Sequence, residues 1–349
     1  MSVVYKKLED VCEILDSRRV PITAKDRKAG DYPYYGANGL QDYVADYIFD
    51  DELVLLAEDG GNFGSKERPI AYRVSGRCWV NNHAHVLKAK PSIHVDYLCY
   101  ALMFYDTEGL VNGATRQKLT QAAMRQMVIP YRDMTEQLQI IEKISQIVRS
   151  IEKRKEELQL LDQLVKSRFI ELFASVEAED TLQNLCTFID YRGKTPEKVE
   201  SGLPFITAKN IRMHRMSFDT LEYISKETYD RVMTRGFPQI GDVVFTTEAP
   251  LGNVCRIPFI ETEFYIGQRI ITMQTERLEP AYLEYALSSD EFKRKIAEKS
   301  SGSTVTGIRS KLLEQLTIPV PPRALQERFA AFVEQTDKSK LCGKMEVAA

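Results

Sequence analysis

Two histidines separated by one residue, His83 and His85, are the side chains that come closest to a metal-binding pattern. In a β-strand this spacing places both imidazoles on one face. A zinc site needs more ligands, and the sequence adds only His94, His214 and cysteines without ligand spacing. We therefore expect no metal. Two interpretations stay open: a hydrogen-bonding cluster at a strand end that fixes a loop, or a direct or water-mediated contact with DNA.

A glycine-rich segment, residues 59–65, precedes the cations Lys66 and Arg68. Exposed amides, the Asn62 side chain and these cations are groups that approach a phosphate or a base edge. A bare turn also explains the glycines, because glycine adopts turn conformations at no steric cost. The segment is thus either a simple turn or a loop that binds nucleic acid.

Basic residues without neighbouring acids point more clearly to nucleic acid. Residues 209–215 carry Lys209, Arg212 and Arg215 and no acid, and Arg18 and Arg19 begin a second basic cluster near the N-terminus. Charge runs are often only solvated faces. Arginine and lysine beside asparagine, however, are also the side chains that read guanine and adenine in the major groove. We predict these DNA-binding residues: Arg18, Arg19, Asn38, Asn62, Lys66, Arg68, His83, Arg116, Lys118, Lys194, Lys209, Asn210, Arg212, His214, Arg215 and Thr304.

Catalytic motifs and export signals are not found in the sequence. It has no GxGxxG, no P-loop and no HExxH, so we assign no catalytic residue. The cysteines form no CxxC pair, which suits reduced thiols, and no apolar window is long enough to span a membrane. The N-terminus lacks an apolar stretch of signal-peptide length, so we expect a cytoplasmic protein. The net charge of −3 neither demands nor excludes DNA.

A long helix is predicted over residues 133–175, and it must position the modules on either side. Apolar residues alternate there at spacings of three and four, which is typical of a coiled coil, and only Arg154 and Arg168 interrupt the seam. At about 1.5 Å per residue the helix would be roughly 65 Å long, too long for one wall of a compact core. The predicted partner-binding residues are Ile140, Ile144, Ile147, Ile151, Leu158, Leu161, Val165 and Leu172 on this helix, with Phe329 and Val333 on a second one.

An internal repeat organises the remainder of the chain. The segment that begins at Leu8 recurs at Leu182, and an Ile-Pro pair recurs with a following glutamine, Gln137 or Gln326. Short apolar runs bounded by turn residues, together with stretches of helical spacing, make each copy a mixed α and β module. We predict an α+β fold class with cores rich in antiparallel sheet. The predicted modules are residues 1–132 and 176–321, and the long helices are residues 133–175 and 322–349.

With these features assembled, the chain resembles the specificity (S) subunit of type I restriction-modification systems. The matching stretches are residues 35–39, 55–60, 81–87 and 318–322, and the resemblance covers nearly the whole chain. It implies that each module is a target recognition domain that reads one half of a split DNA sequence. It also implies that long coiled-coil helices join the two domains as an antiparallel spacer.

The resemblance further implies a chain that recognises double-stranded DNA and is not itself an enzyme. Its implied partners are two methyltransferase (M) subunits, which modify adenine with S-adenosylmethionine. Systems that also restrict DNA add two restriction (R) subunits, which use ATP and Mg. No cofactor is expected in this chain. Two alternatives are a coiled-coil scaffold that binds protein and not DNA, and an inactive or phase-variable truncated S subunit.

The second helix departs from the family pattern. Phe329 and Val333 begin a seam, but Thr336, Lys340 and Gly343 occupy the next seam positions. We therefore expect the antiparallel pairing to fail beyond Val333. That failure would put one methyltransferase dock in doubt and leave the seam of the first helix to pack against another chain.

Overall fold

The computed structural model describes residues 3–113, 116–191, 193, 195–267, 269–300 and 306–348, with residues 342–348 given by their backbone alone. The chain divides into two compact units, Met1–Glu152 (unit 1) and Lys153–Ala349 (unit 2). This boundary falls inside a helix, and the four-part division predicted from the sequence stays a prediction. No helix in the described ranges is long and apolar enough to cross a bilayer.

Unit 1 alternates strands with short helices and ends in the first part of a long helix. The strands are β1 (Val4–Lys7), β2 (Cys12–Ile14), β3 (Ala29–Gly36), β4 (Gly39–Val44), β5 (Phe49–Ala57), β6 (Ala71–Val80), β7 (Ala84–Ala89), β8 (Val111–Asn112), β9 (Lys118–Leu119) and β10 (Val128–Tyr131). The helices are α1 (Leu8–Val11), α2 (Val95–Met103), α3 (Gln121–Gln126) and the long α4 (Met134–Phe173). The main sheet has the strand order β2-β7-β5-β6-β3-β4 and is antiparallel except where β3 meets β6.

The central strand β5 is buried on both faces. Residues 53–57 are all 0% exposed. Val54 and Leu56 belong to one hydrophobic cluster, whereas Leu53 and Leu55 belong to another. Successive side chains of a strand point to opposite faces, so an unbroken apolar run requires a core on each side. One of the short apolar runs seen in the sequence is therefore a strand with a core on each side.

Unit 2 repeats this plan with additional strands. Its strands are β11 (Glu179–Thr181), β12 (Thr187–Ile189), β13 (Leu203–Ile206), β14 (Ile211–Arg212), β15 (Arg215–Met216), β16 (Glu222–Ile224), β17 (Val243–Thr246), β18 (Val254–Arg256), β19 (Tyr265–Ile266), β20 (Ile270–Gln274) and β21 (Thr317–Pro319). Its helices are α5 (Leu182–Leu185), α6 (Lys226–Val232), α7 (Pro280–Ser288), α8 (Asp290–Lys299), α9 (Ser310–Glu314) and α10 (Arg323–Ala348). The sheets include β12-β20-β17-β18, β16-β13-β19 and the hairpin β14-β15. The predicted α+β class with repeated modules is confirmed.

Matching interactions show that the two units are built on the same framework. In unit 1, β1 pairs antiparallel with β10, and in unit 2, β11 pairs antiparallel with β21. The hydroxyl of Tyr97 donates to the carbonyl of Pro130 at 2.9 Å, and that of Tyr282 donates to Pro319 at 2.6 Å. The Ile-Pro pairs seen in the sequence therefore provide the carbonyl that anchors a buried tyrosine in each unit.

The repeated glutamines have equivalent roles as well. Gln137 is 0% exposed, accepts from the amide of His94 at 2.7 Å and donates to the carbonyls of Ser92 and Arg132. Gln326 is 1% exposed, accepts from the amide of Glu279 at 2.8 Å and donates to a carbonyl at the start of its helix. Each glutamine thus joins the first turn of a long helix to the segment that leads into α2 or α7.

The helices α4 and α10 pair in antiparallel fashion inside unit 2. The ring of Phe329 lies 5.4 Å from that of Phe169 and 5.5 Å from that of Phe173. Farther along both helices, the Lys340 ammonium lies 2.7 Å from the Asp162 carboxylate. The predicted pairing of the first helix with the helix after Pro322 is therefore confirmed.

The expectation that this pairing fails beyond Val333 is wrong. Thr336 is only 5% exposed, and the side chain of Lys340 is 16% exposed with its charge paired across the two helices. A long side chain can cover apolar surface with its methylene stem while its charged end meets a partner, so lysine is tolerated at a seam position. Val165 is fully buried, and Leu172 packs against the same core cluster, so neither residue needs another chain.

Candidate nucleic-acid interface

Several loops of unit 1 are tied together at one end of the strands of the main sheet. Asn38, in the turn between β3 and β4, donates from its side chain to the carbonyl of Gly60 at 3.0 Å. The amide of Gly60 donates to the carbonyl of Gln117 at 3.2 Å, and the amide of Glu58 donates to the carbonyl of His83 at 2.9 Å. Segments that are distant in the sequence therefore form one surface, here called the unit 1 loop surface.

Charged groups on the unit 1 loop surface are linked through two carboxylates. Asp59 lies 2.6 Å from His83 Nδ1 and 2.6 Å from the Arg116 guanidinium. Glu58 lies 3.1 Å from the Lys118 ammonium. The side chain of Arg116 is nevertheless 61% exposed, so it can meet an additional anion without leaving Asp59. Three predicted residues, His83, Arg116 and Lys118, are thus brought together.

A shallow cleft on the same surface collects three more of the predicted residues. It is lined by Asn38, Asn62 and Arg68 together with Gly39, Pro69 and Tyr72. Lys66 and Arg68 are exposed and have no ion pair among the described residues. Amide and guanidinium groups beside an aromatic ring are suited to a base edge or a phosphate. The interpretation of the glycine-rich segment as a binding loop is therefore compatible with its position.

Arg19 does not belong to this surface, and its internal partners give no support to the predicted DNA contact. Its side chain is 13% exposed, and its guanidinium lies 2.6 Å from Glu58 and donates to the carbonyl of Ala84 at 2.7 Å. It also lies 3.6 Å from the buried carboxylate of Asp16. Because its donors are used within the protein, Arg19 stabilises the loops through these internal contacts.

The buried partner of this network is His85. Its Nδ1 lies 2.6 Å from Asp16, and its Nε2 lies 2.9 Å from the carbonyl of Leu119. Burial opposes ionisation of Asp16, but hydrogen bonds from His85, Gln121 and the amide of Val86 outweigh it and lower the pKa of this carboxyl. For His85, the interpretation as a hydrogen-bonding cluster that fixes a loop is confirmed.

A metal ion would have to compete with these internal pairs. Ligand atoms of Asp16, Glu58 and His85 all lie within 4.8 Å of one another. Arg19 already contacts both carboxylates, and His85 uses both ring nitrogens within the protein. The donor set is therefore satisfied as an ion-pair network, and we assign no metal to it.

Arg18, another predicted residue, is not part of the unit 1 loop surface. Arg18 is exposed and donates to the carbonyl of Ile48 at 3.1 Å, with its guanidinium 4.8 Å from the Phe49 ring centroid. Lys194 and Thr304 lie outside the described residues. Arg18 stays a predicted contact in a different part of unit 1.

In unit 2 the basic segment forms a small hairpin. Lys209 lies on a single 3-10 turn, and Arg212 and Arg215 are directly opposed partners in β14 and β15. All three are exposed, and no hydrogen bond or ion pair joins their side chains to the described residues. Directly opposed like charges on a β-pair repel each other. An anion between or beside them would relieve that repulsion.

Asn210, between these cations, is buried, and its position gives no support to the predicted DNA contact. It is 1% exposed, and its Oδ1 accepts from the amide and hydroxyl of Thr207. Its Nδ2 donates to the carbonyls of Ser217 and Thr220. The side chain therefore has no hydrogen-bonding capacity left for DNA, and it holds the shape of the loop that displays Lys209.

His214 also turns inward, so a direct DNA contact is not supported. Its ring stacks on Tyr285 at 4.3 Å between centroids, and its Nδ1 lies 2.9 Å from the carboxylate of Glu284. These partners lie on α7, seventy residues farther along the chain. Sequence reasoning did not find Glu284, and no local signal marks it.

The partner-binding residues of α4 fall into two groups. Ile140 packs against the core of unit 1, and Ile144 and Ile151 are half-buried, whereas Ile147 is 59% exposed. In the part of α4 that lies in unit 2, the predicted residues Leu158 and Leu161 are half-buried. Exposed apolar residues that were not predicted lie beside them, namely Leu160 at 55% and Leu164 at 51%. The buried members, Val165, Phe329 and Val333, lie in the core of unit 2, so a contact with a separate partner is not supported for them.

The tyrosines Tyr97 and Tyr282 were also not predicted as framework residues. Each anchors its Ile-Pro carbonyl, as described above, and each occupies an equivalent place in its unit. The signal was available in the sequence, because both tyrosines lie in the helical stretch that precedes an aligned Ile-Pro pair.

A family model and two known proteins match this chain. A family model described as the type I restriction modification DNA specificity domain matches residues 2–161 and 180–343. A Haemophilus influenzae protein assigned as a type I restriction enzyme specificity subunit is 36% identical over 139 residues, which are 40% of this chain and 36% of that protein. The specificity subunit of the type I restriction enzyme MjaVIII from Methanocaldococcus jannaschii is 20% identical over 373 residues, which span 95% of this chain and 85% of that protein.

Solved structures share the fold. The S subunit of a type I restriction-modification system from M. genitalium aligns with a TM-score of 0.57 at 14% identity, covering 100% of this chain and 92% of that chain. A chain from a structural study of complex assembly and conformational transition in the type I system aligns with a TM-score of 0.52 at 17% identity. That alignment covers 100% of this chain and 94% of the other.

Proposed function

Because the chain belongs to the type I restriction-modification DNA specificity family, we propose that it reads a split DNA sequence, with one half-site for each unit. The resemblance noted in the sequence is thereby confirmed at the level of the family. The chain serves as a recognition subunit, and the chemistry is carried out by its partners.

The observation that carries the proposal is the hairpin of unit 2. The hairpin displays Arg212 and Arg215, and the 3-10 turn before it displays Lys209, without any acid to neutralise them among the described residues. Cations that pair with acids on the same protein gain little from DNA, because one favourable interaction replaces another. Unpaired cations gain the full attraction of the phosphates and release the counterions condensed on DNA.

The unit 1 loop surface offers a different chemistry for the other half-site. Its amides, Asn38 and Asn62, lie in one cleft with Arg68, and its other cations are partly neutralised by carboxylates. Asparagine and arginine are the side chains that pair with adenine and guanine edges. Since the two surfaces differ in composition and geometry, we expect the two half-sites to differ in sequence.

The proposed partners are double-stranded DNA and two methyltransferase subunits, with restriction subunits in systems that cut DNA. The exposed apolar residues of α4 in unit 2, Leu160 and Leu164, support a protein-docking face on this helix. S-adenosylmethionine would be bound by the methyltransferase, and ATP and Mg by a restriction subunit. We assign neither a cofactor nor a catalytic residue to this chain, and we place it in the cytoplasm.

Footprinting of the full chain together with its methyltransferase subunit tests the proposal. We expect two protected tracts separated by an unprotected gap, with steep loss of protection as salt is raised. The competing function, a scaffold that binds only protein, predicts a complex with the methyltransferase but no protected DNA. Protection of a single continuous tract would contradict one half-site for each unit.

A further inference from the structure

The hairpin that displays Arg212 and Arg215 is too small to fix its own orientation. Each strand has two residues, and an isolated hairpin of this kind is marginal in water. Its orientation must therefore come from contacts with the rest of unit 2. Two of these contacts involve the backbone of the hairpin. The amide of His214 donates to the carbonyl of Val254 at 2.8 Å, and the side chain of Asn253 donates to the carbonyl of Ile211 at 2.9 Å.

A further contact, besides the burial of Ile211 and Met216 in a core cluster, is made by the side chain at the turn. His214 has a φ of 59°, a left-handed conformation in which histidine and asparagine occur more often than most residues. This conformation directs the ring inward, where it stacks on Tyr285 with an interplanar angle of 17°. Because a carboxylate can only accept, His214 Nδ1 must donate its hydrogen to Glu284 at 2.9 Å.

Glu284 is itself held in place by charge. It is 2% exposed, and its second oxygen accepts from Arg256 Nε at 2.6 Å. The guanidinium of Arg256 also donates a hydrogen bond to the carboxylate of Asp337 on α10 at 3.2 Å. Burial alone would lower the pKa of Arg256, but the attraction of Glu284 and Asp337 outweighs it and raises the pKa. The Arg256 guanidinium therefore bridges the carboxylates of Glu284 and Asp337 and links the hairpin turn to the long helix.

We propose that His214 is a positioning residue for DNA recognition: through Glu284, Arg256 and Asp337 it fixes the basic hairpin relative to α7 and α10. This inference rests on the proposed function, because it assigns a role in binding the half-site read by unit 2. His214 itself does not touch DNA. Its role is to present two arginines to one phosphate tract in a single arrangement, which reduces the ordering cost of binding.

The test compares variants of the full chain on a duplex that carries the footprinted site. His214→Asn keeps a residue that tolerates positive φ, but its shorter side chain cannot stack on Tyr285 or reach Glu284. Glu284→Gln replaces a charged acceptor with a neutral one and so weakens the same hydrogen bond. We expect His214→Asn to weaken binding about tenfold and to reduce protection of the unit 2 half-site only. The unit 1 half-site serves as the internal control.

A double variant separates positioning from general destabilisation. If His214 acts through Glu284, adding Glu284→Gln to His214→Asn causes no further loss of DNA affinity. Additive losses, equal loss of protection at both half-sites, or unchanged affinity of His214→Asn would each overturn the inference. The Lys209, Arg212 and Arg215 triple alanine variant is measured in parallel. If it binds DNA as the wild type does, the proposed function of the hairpin fails, and this result is distinct from a failure of the His214 inference.

Discussion

Replacing Lys209, Arg212 and Arg215 together with alanine should reduce both the affinity for DNA and its dependence on salt. Each cation that contacts a phosphate contributes about 0.9 to the slope of log K against log salt, so three contacts contribute about 2.7. Over a tenfold rise in salt the wild type should therefore lose roughly 500-fold more affinity than the variant. The three side chains are exposed and unpaired among the described residues, which is why the full contribution is expected.

A titration of duplex binding against salt measures this slope for the wild type and the triple variant. The matched control removes three exposed lysines of the same unit that are already paired: Lys226 with Asp230 and Glu263, Lys293 with Asp290, and Lys338 with Glu334. Both variants lose three positive charges. A similar change of slope in both would show that net charge matters and that the hairpin has no special role.

The thermal stability of the triple variant provides a second check. Arg212 and Arg215 are directly opposed, and opposed like charges destabilise a β-pair by about 0.2–1 kcal/mol. The variant should therefore be at least as stable as the wild type while binding DNA more weakly. A weaker and less stable variant would point to misfolding and would refute the reasoning.

Three other perturbations test the framework. Phe329→Ala should cost about 3–5 kcal/mol in urea unfolding, because its fully buried ring packs between the long helices; a loss below about 1 kcal/mol would contradict that packing. Gln137→Ala should cost about 1–3 kcal/mol by leaving buried backbone groups without partners, and Gln326→Ala a similar amount; unequal costs would argue against equivalent roles. The pKa of Asp16 is lower folded than unfolded, so its contribution to stability is present at neutral pH and is lost as pH falls below about 4. Asp16→Asn should flatten that acid-side decline, and an unchanged pH profile of unfolding would contradict the assignment.

Local patterns predicted much of the framework correctly. Short apolar runs bounded by turn residues indicated strands, and the run in β5 is one that the structure buries. The heptads of α4 indicated a long helix with a partner, and Val165 now packs in the same core as Phe329. The repeated Ile-Pro pair and glutamine indicated that the two units have equivalent frameworks. Gln137 and Gln326 make corresponding hydrogen bonds in them.

Local patterns were less reliable for polar side chains. Arg19 and Asn210 are residue types that often contact DNA, but in the fold they interact with partners inside the protein. Thr336 and Lys340 are polar residues at seam positions, which suggested that the helix pairing breaks there. Lys340, however, forms an ion pair with Asp162 on the facing helix. The direction of a polar side chain depends on which acceptors the fold brings near it, and that cannot be read from neighbouring residues.

The sequence by itself determined the two-copy plan, the α+β class, the long helices and the basic character of residues 209–215. These follow from periodicity and composition, which act over short stretches of chain. Only the tertiary structure decided which of those basic residues lack a charge partner within the described part of the chain, and how they are held. His214 lies between Arg212 and Arg215 in the sequence, yet its ring faces Glu284 from α7. A buried carboxylate needs donors at hydrogen-bond distance, and only folding brings together residues so far apart in the chain.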